Sequence, residues 1–263
     1  MPVVTVHVLR HLRDNVTNVT EHPTTPAPTE PDDLALNKPG ATLRLKAKEI
    51  RKMHPVLVFI LRLFGAHSQE RAWRRGAEGE EEVAWQLRKL GEGWHALHSV
   101  PIGTGETDID HLVIGPPGVF ALNTKNHLGK RVTVYEKAIY VSGSKQPYLT
   151  KSRAEGKRAS KILSRACNFP VTVSPMLVIM ANELDLKGQP TDVHVLARKR
   201  VANWFEIRTP CLSAAETELI YAAARPRSTW ISYNASLGDT SSNLGMPSTA
   251  LELARNLNEA DRD

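Results

Sequence analysis

A few polar side chains in this chain sit where an apolar pattern calls for none. Glu80 precedes Val83, Ala84 and Leu87 by three, four and seven residues, so on a helix it shares their inward face, which Glu78, Glu81 and Glu82 do not. A carboxylate turned inward is costly unless it is paired or holds a metal. The alternative for Glu80 is a half-exposed place in the first helical turn, steadied by the helix dipole. Asp108 and Asp110 are two residues apart in the apolar run DIDHLVIG, hence on one face of a strand. Acidic residues in a half-buried strand oppose β-propensity, and such conflicts concentrate at functional sites. Asn123 and Lys125 share a face of the next run, GVFALNTKNH, by the same spacing. A lysine beside buried carboxylates can orient water or stabilise phosphate charge, or it can be the salt-bridge partner of Asp110.

The elements that must position these groups are readable around them. Residues 76–90 form an amphipathic helix, with Ala77, Val83, Ala84, Leu87 and Leu90 at helical spacing. After a glycine break come three strand-like runs, WHALHSVPI, DIDHLVIGP and GVFALNTKNH. The tight turn of Gly115-Pro116-Pro117-Gly118 pairs the last two as an antiparallel hairpin. Two shorter strands are expected over residues 132–135 and 138–141. A helix over residues 149–167 is closed by Pro170. VTVSPMLVIMAN is the most continuously apolar strand and so a central one. VHVLAR is one more strand, and residues 201–225 hold two helical patterns, the second starting at a cap-like Leu212-Ser213.

The helix over 149–167 is basic. Between residues 145 and 165, seven basic residues stand against one acid, Glu155, an excess equal to the whole chain's net charge of +6. Lys151, Arg158, Lys161 and Arg165 fall along one helical stripe, suited to tracking phosphates or simply to facing solvent. Other signals carry less. His95 and His98 are an odd number of residues apart on a strand and so point to opposite faces. Gly103-Thr104-Gly105 lacks the helix start that phosphate cradling requires. No Ser-His-Asp or Cys-His nucleophile pattern is present.

Composition is that of a globular chain: 263 residues, 41% hydrophobic and 24% charged. The positive excess favours an anionic partner. Two cysteines, Cys167 and Cys211, suit a reducing, cytoplasmic setting. The start of the chain has no signal-peptide pattern. The most apolar run, residues 55–65, is too short to span a bilayer and is interrupted by Arg62, which argues against integral membrane association. The expected organisation is a disordered tail over 1–42, dense in Pro, Thr and Asp, and a basic and apolar helical lead over 43–75. A folded domain over 76–200, a helical extension over 201–230 and a mostly flexible tail over 231–263 follow.

The ordered set Gly76-Ala77-Glu78-Gly79-Glu80, Ile109-Asp110-His111-Leu112-Val113-Ile114-Gly115-Pro116, Gly118-Val119-Phe120 and Lys125-Asn126 resembles the nuclease-related domain (NERD). That family is grouped with the restriction-endonuclease-like PD-(D/E)xK nucleases. The resemblance covers residues 76 to about 182, and the stretch ending in Thr229-Trp230 looks like an extension some members carry. It implies an α/β fold, a restriction-endonuclease-like mixed β-sheet flanked by helices, with helical N- and C-terminal extensions. It also implies cleavage of phosphodiester bonds in DNA, or RNA, with Mg²⁺ or Mn²⁺. Glu80, Asp110, Asn123 and Lys125 would be the catalytic set and Glu80, Asp110 and Asn123 the metal ligands, while the basic stripe would bind nucleic acid. One position departs from the pattern: the acidic-x-Lys pair carries Asn123 where the family usually has Glu. A neutral carbonyl holds Mg²⁺ more weakly than a carboxylate. Asp108 or Glu106 can compensate, or the site is a relic that binds without cutting. A third reading uses residues 43–65 as a basic amphipathic surface against acidic lipid.

Overall fold

The computed structural model describes residues 32–40, 43–44, 67–102 and 108–231. Most of both expected tails, most of the helical lead and Glu106 lie outside the described residues. Helix α1, His67–Leu87, delivers Val83 and Leu87 inward at the spacing read from the sequence. The helix expected to start at residue 76 runs unbroken through Gly76, where a glycine costs only about 1 kcal/mol against alanine. A Cβ at Gly76 would stand 2.8 Å from Leu43 Cδ1, so the missing side chain admits that leucine.

Among the described residues, seven strands make one mixed sheet: β1 (His95–Pro101), β2 (Asp108–Gly115), β3 (Gly118–Val134), β4 (Ile139–Val141), β5 (Ser144–Gln146), β6 (Val173–Leu186) and β7 (His194–Ala197). The expected hairpin is present, with β2 and β3 antiparallel and Gly115 opposite Gly118. Gly118 has φ +129°, a conformation that glycine adopts without the steric penalty of a side chain. The strand expected over residues 132–135 is instead the far half of β3, which bends at a register shift between His127 and Arg131 and runs on to pair with β4. β6 lies parallel to β3 on one side and to β7 on the other, a central place that fits its unbroken apolar run.

A parallel pair needs a crossover, and helix α2, Tyr148–Cys167, supplies it between β5 and β6. Alternate residues of β3 then enter two different cores. Val119 and Ala121 pack with Ala159, Ile162 and Leu163 of α2, together with Ile220 and Ala224 of α4 (Ala214–Ala224) and the fully buried Trp230. Phe120 and Leu122 pack with Val83 and Leu87 of α1 and with Val201 and Phe205 of α3 (Val201–Glu206). Helix α4 opens on a capping box, Ser213 with Glu216, at the cap read from the sequence.

One segment differs from expectation. Residues 32–40, inside the stretch read as disordered tail, form a strap packed on the domain. Leu34 is 1% exposed within a 3-10 turn, Leu34–Leu36. Asp33 makes an isolated bridge to Pro226 and a two-pronged ion pair with Arg225, and Asn37 Nδ2 donates to the His98 carbonyl at 2.9 Å. The composition of this segment is poor in apolar residues, but its partner lies 192 positions away along the chain.

Candidate functional site

Glu80 sits where α1 packs against β3. A Cβ at Gly79 would meet Thr124 Cγ2 at 3.2 Å, Met180 Sδ at 3.3 Å and Asn126 Cβ at 3.4 Å, so glycine at 79 lets the helix settle onto the sheet. The following residue, Glu80, is only 6% exposed. Its Oε2 accepts the Gly40 backbone N–H at 2.9 Å. Gly40 itself has φ +69°, and a Cβ there would lie 2.9 Å from Ala77 Cβ. No larger residue can bring the strap's N–H so close to the helix without strain.

Asp110 occupies a break in the ladder. β1 and β2 pair His98 with His111 and Val100 with Ile109 but skip Ser99 and Asp110, and Ser99 takes φ 50°. Asp110 Oδ2 accepts the Thr124 backbone N–H at 2.5 Å, which ties it to β3 between Asn123 and Lys125. Asn123 is 5% exposed and donates from Nδ2 to Oε2 of Glu155 on α2 at 2.5 Å. The Lys125 ammonium stands 5.7 Å from the centroid of the Tyr148 ring, whose hydroxyl lies 2.9 Å from His127 Nε2.

The electrostatics show that these groups sense one another. Burial pushes Glu80 up from 4.5 to about 8, the Asp110 charge adds to the rise, and the Gly40 N–H and Lys125 oppose it. Burial also raises Asp110, against Lys125 and the Thr124 N–H, while the Asp108 charge adds to the rise. Glu155 is raised by burial and by Asp110, and held down by Lys125, the Asn123 amide and Lys151. Glu80, Asp110 and Lys125 therefore share one neighbourhood, and Asn123 joins it through Glu155.

Among the described residues, no group of three or more His, Cys, Asp or Glu side chains could hold a metal ion. Mg²⁺ does not need one. It keeps several waters and is commonly held by one or two carboxylates plus substrate phosphate oxygens. Glu80 and Asp110 each engage one oxygen with a backbone N–H, and their like charges raise Glu80. Such hard, mutually repelling oxygen donors fit a divalent cation, which would relieve that repulsion.

Four participants escaped the sequence reading. Glu155 counted only as the lone acid of a basic helix, and that oddity was the one available signal. Gly40 lay in a supposed tail. Tyr148 and His127 gave no signal, since their contact depends on how α2 crosses β3. Of the basic stripe, Lys151, Lys161 and Arg165 are exposed, whereas Arg158 is half-buried and reaches the Ile102 carbonyl at 3.4 Å. Lys151 acts electrostatically on Glu155, so this end of the stripe adjoins the site. The two histidines set aside are structural: His95 stacks on Tyr221 and bonds Glu218, and His98 Nδ1 lies 2.8 Å from His111 Nδ1.

No helix among the described residues is long and apolar enough to cross a membrane. No curated protein and no solved structure matches the chain. The model of one family does match, over residues 75–180, from the turn of α1 before Glu80 to Met180 on β6. The mixed sheet and its flanking helices are consistent with a restriction-endonuclease-like fold of the PD-(D/E)xK kind. Residues 75–180 of this chain are a nuclease-related domain.

Proposed function

We propose that this protein hydrolyses phosphodiester bonds of DNA, or less readily of RNA, with Mg²⁺ or Mn²⁺. The observation that carries the reading is the pairing of two enclosed carboxylates, Glu80 and Asp110, with Lys125 as the cation that acts on both. Nuclease-related domains are generally dependent on divalent metals. Glu80, Asp110 and the Asn123 carbonyl oxygen would hold the ion, and when bound it supplies a Lewis acid and an acidified water. Lys125 donates to a non-bridging phosphate oxygen and balances charge that builds there during attack. Asp110 is fixed by the Thr124 N–H and Glu80 by the Gly40 N–H, so both carboxylates are held in place before substrate arrives. Lys151, Lys161 and Arg165 offer an exposed basic line for the phosphate backbone. The half-exposed and exposed thiols of Cys167 and Cys211 are free, which suits a cytoplasmic setting.

One observation favours a second reading. Asn123 is neutral where the acidic-x-Lys pattern has a carboxylate, and taken alone a neutral carbonyl is the weaker Mg²⁺ ligand, as expected of a module that binds nucleic acid without cutting it. The purified chain, incubated with plasmid, linear duplex, single-stranded DNA and RNA in Mg²⁺ or Mn²⁺ against EDTA, separates the two. Nicking that requires the metal supports hydrolysis. Binding without any cleavage at stoichiometric protein sinks it in favour of the second reading.

A further inference from the structure

The acid missing from β3 has a counterpart on α2. Ala121 of β3 packs in the same core as Ala159 of α2. Moving two residues along the strand and one turn back along the helix brings Asn123 against Glu155, at 2.5 Å. Glu155 is half-buried and makes no ion pair among the described residues, although basic residues surround it on its own helix. Its hydrogen-bond partner is the Asn123 amide, and the charges acting on it are Lys125, Asp110 and Lys151.

Two consequences follow from this contact. Asn123 turns Nδ2 toward Glu155 Oε2, leaving Oδ1 as the end it offers elsewhere. The contact also sets an acidic side chain beside position 123, where β3 itself carries a neutral one. We infer that Glu155 is a positioning residue of this site: it orients the Asn123 amide with its carbonyl free for a divalent cation and returns the negative charge that the acidic-x-Lys position lacks. Asn123 and Glu155 together do what one carboxylate on β3 would do. This inference rests on the metal-dependent reading of the site.

Mn²⁺ binding, measured by calorimetry on the full chain, tests it alongside cleavage. Glu155→Gln keeps an oxygen that can accept from Asn123 but removes the charge. Mn²⁺ affinity should fall about tenfold or more, as for other partners of metal ligands, with melting temperature little changed. Asn123→Glu alone sets two carboxylates against each other and should not improve on wild type. The exchange Asn123→Glu with Glu155→Gln moves the charge back to β3 and should return affinity to within a few-fold of wild type. If wild type binds Mn²⁺ and cuts while Glu155→Gln does both equally well, the role of Glu155 is wrong and the site reading stands. An exchange variant no better than Glu155→Gln overturns it too, even should Glu155→Gln itself fold poorly. If wild type neither binds Mn²⁺ nor cuts, the site reading fails and takes this inference with it.

Discussion

Asp33 and Glu80 are equally buried, each 6% exposed, and both are tied to the strap over residues 32–40, yet their carboxyl groups shift in opposite directions. Asp33 is held below the usual carboxylate range, mainly by hydrogen bonds from the Arg225 guanidinium. Glu80 is pushed up by burial and by Asp110, and among the described residues its hydrogen bond comes from a neutral N–H. Burial alone therefore does not mark a functional carboxylate. A buried acid with a forked cation is a structural joint, whereas a buried acid beside another acid is held in a state it would leave if a cation arrived. The strap links the two, fastening at Asp33 and ending at Gly40 on Glu80.

The largest effect should separate the two ends. Asp110→Ala and Lys125→Ala should each lower metal-dependent cleavage about a hundredfold or more while the melting temperature holds or rises. Asp33→Asn should do the reverse, removing on the order of 1–3 kcal/mol of stability and leaving cleavage intact well below the melting point. Urea melts and plasmid nicking on the same preparations check both. Should Asp110→Ala unfold the protein, Asp110 would be a structural partner of Lys125 and the contrast would collapse.

Gly40→Ala probes the link. It places a side chain at φ +69° against Ala77, costing about 1–2 kcal/mol and drawing the N–H away from Glu80. Stability and cleavage should fall together. Cleavage untouched by a destabilising Gly40→Ala would detach the strap from the site.

A smaller effect is set by pH. The folded-state value of Glu80 lies above its ordinary 4.5, so the folded protein holds that proton more tightly than the unfolded chain. Its stabilising contribution is complete below 4.5 and is lost as pH rises through about 8. In EDTA, Glu80→Gln should therefore melt progressively higher than wild type as pH rises from 4.5 to above 8, with the gap closing at the acid end. Mn²⁺ should narrow the gap by stabilising wild type alone. Melting curves that stay parallel across this range would place Glu80 with Asp33, as an ordinary structural acid.

The smallest expected effect concerns the surface. Replacing Lys151, Lys161 and Arg165 with Ala should weaken binding to all sequences alike. The salt dependence should flatten by roughly one slope unit for each phosphate that is no longer neutralised. An unchanged slope, read by fluorescence anisotropy across a salt series, returns the stripe to plain solvation.

Local pattern by itself determined a good deal of this molecule. Helical spacing put Glu80 on the inward face of α1, period-two alternation and a Gly-Pro-Pro-Gly turn set the β2–β3 hairpin, and an unbroken apolar run marked β6 as central. Each of these is written within a window of a dozen or so residues, because side-chain direction repeats with helix and strand period. Tertiary structure decided the rest. Nothing near residues 32–40 announces Arg225, so a segment of disordered composition is instead held by a partner 192 positions away. Nothing in a basic helix tells that its lone acid will meet Asn123, since that depends on how α2 crosses β3. β3 continues past residue 127 because β6 and β4 accept its hydrogen bonds, a fact about neighbours. Which face a residue shares is local, but what waits on that face is set by chain crossings that pair residues far apart in sequence, and one chain's pattern carries no record of those pairings.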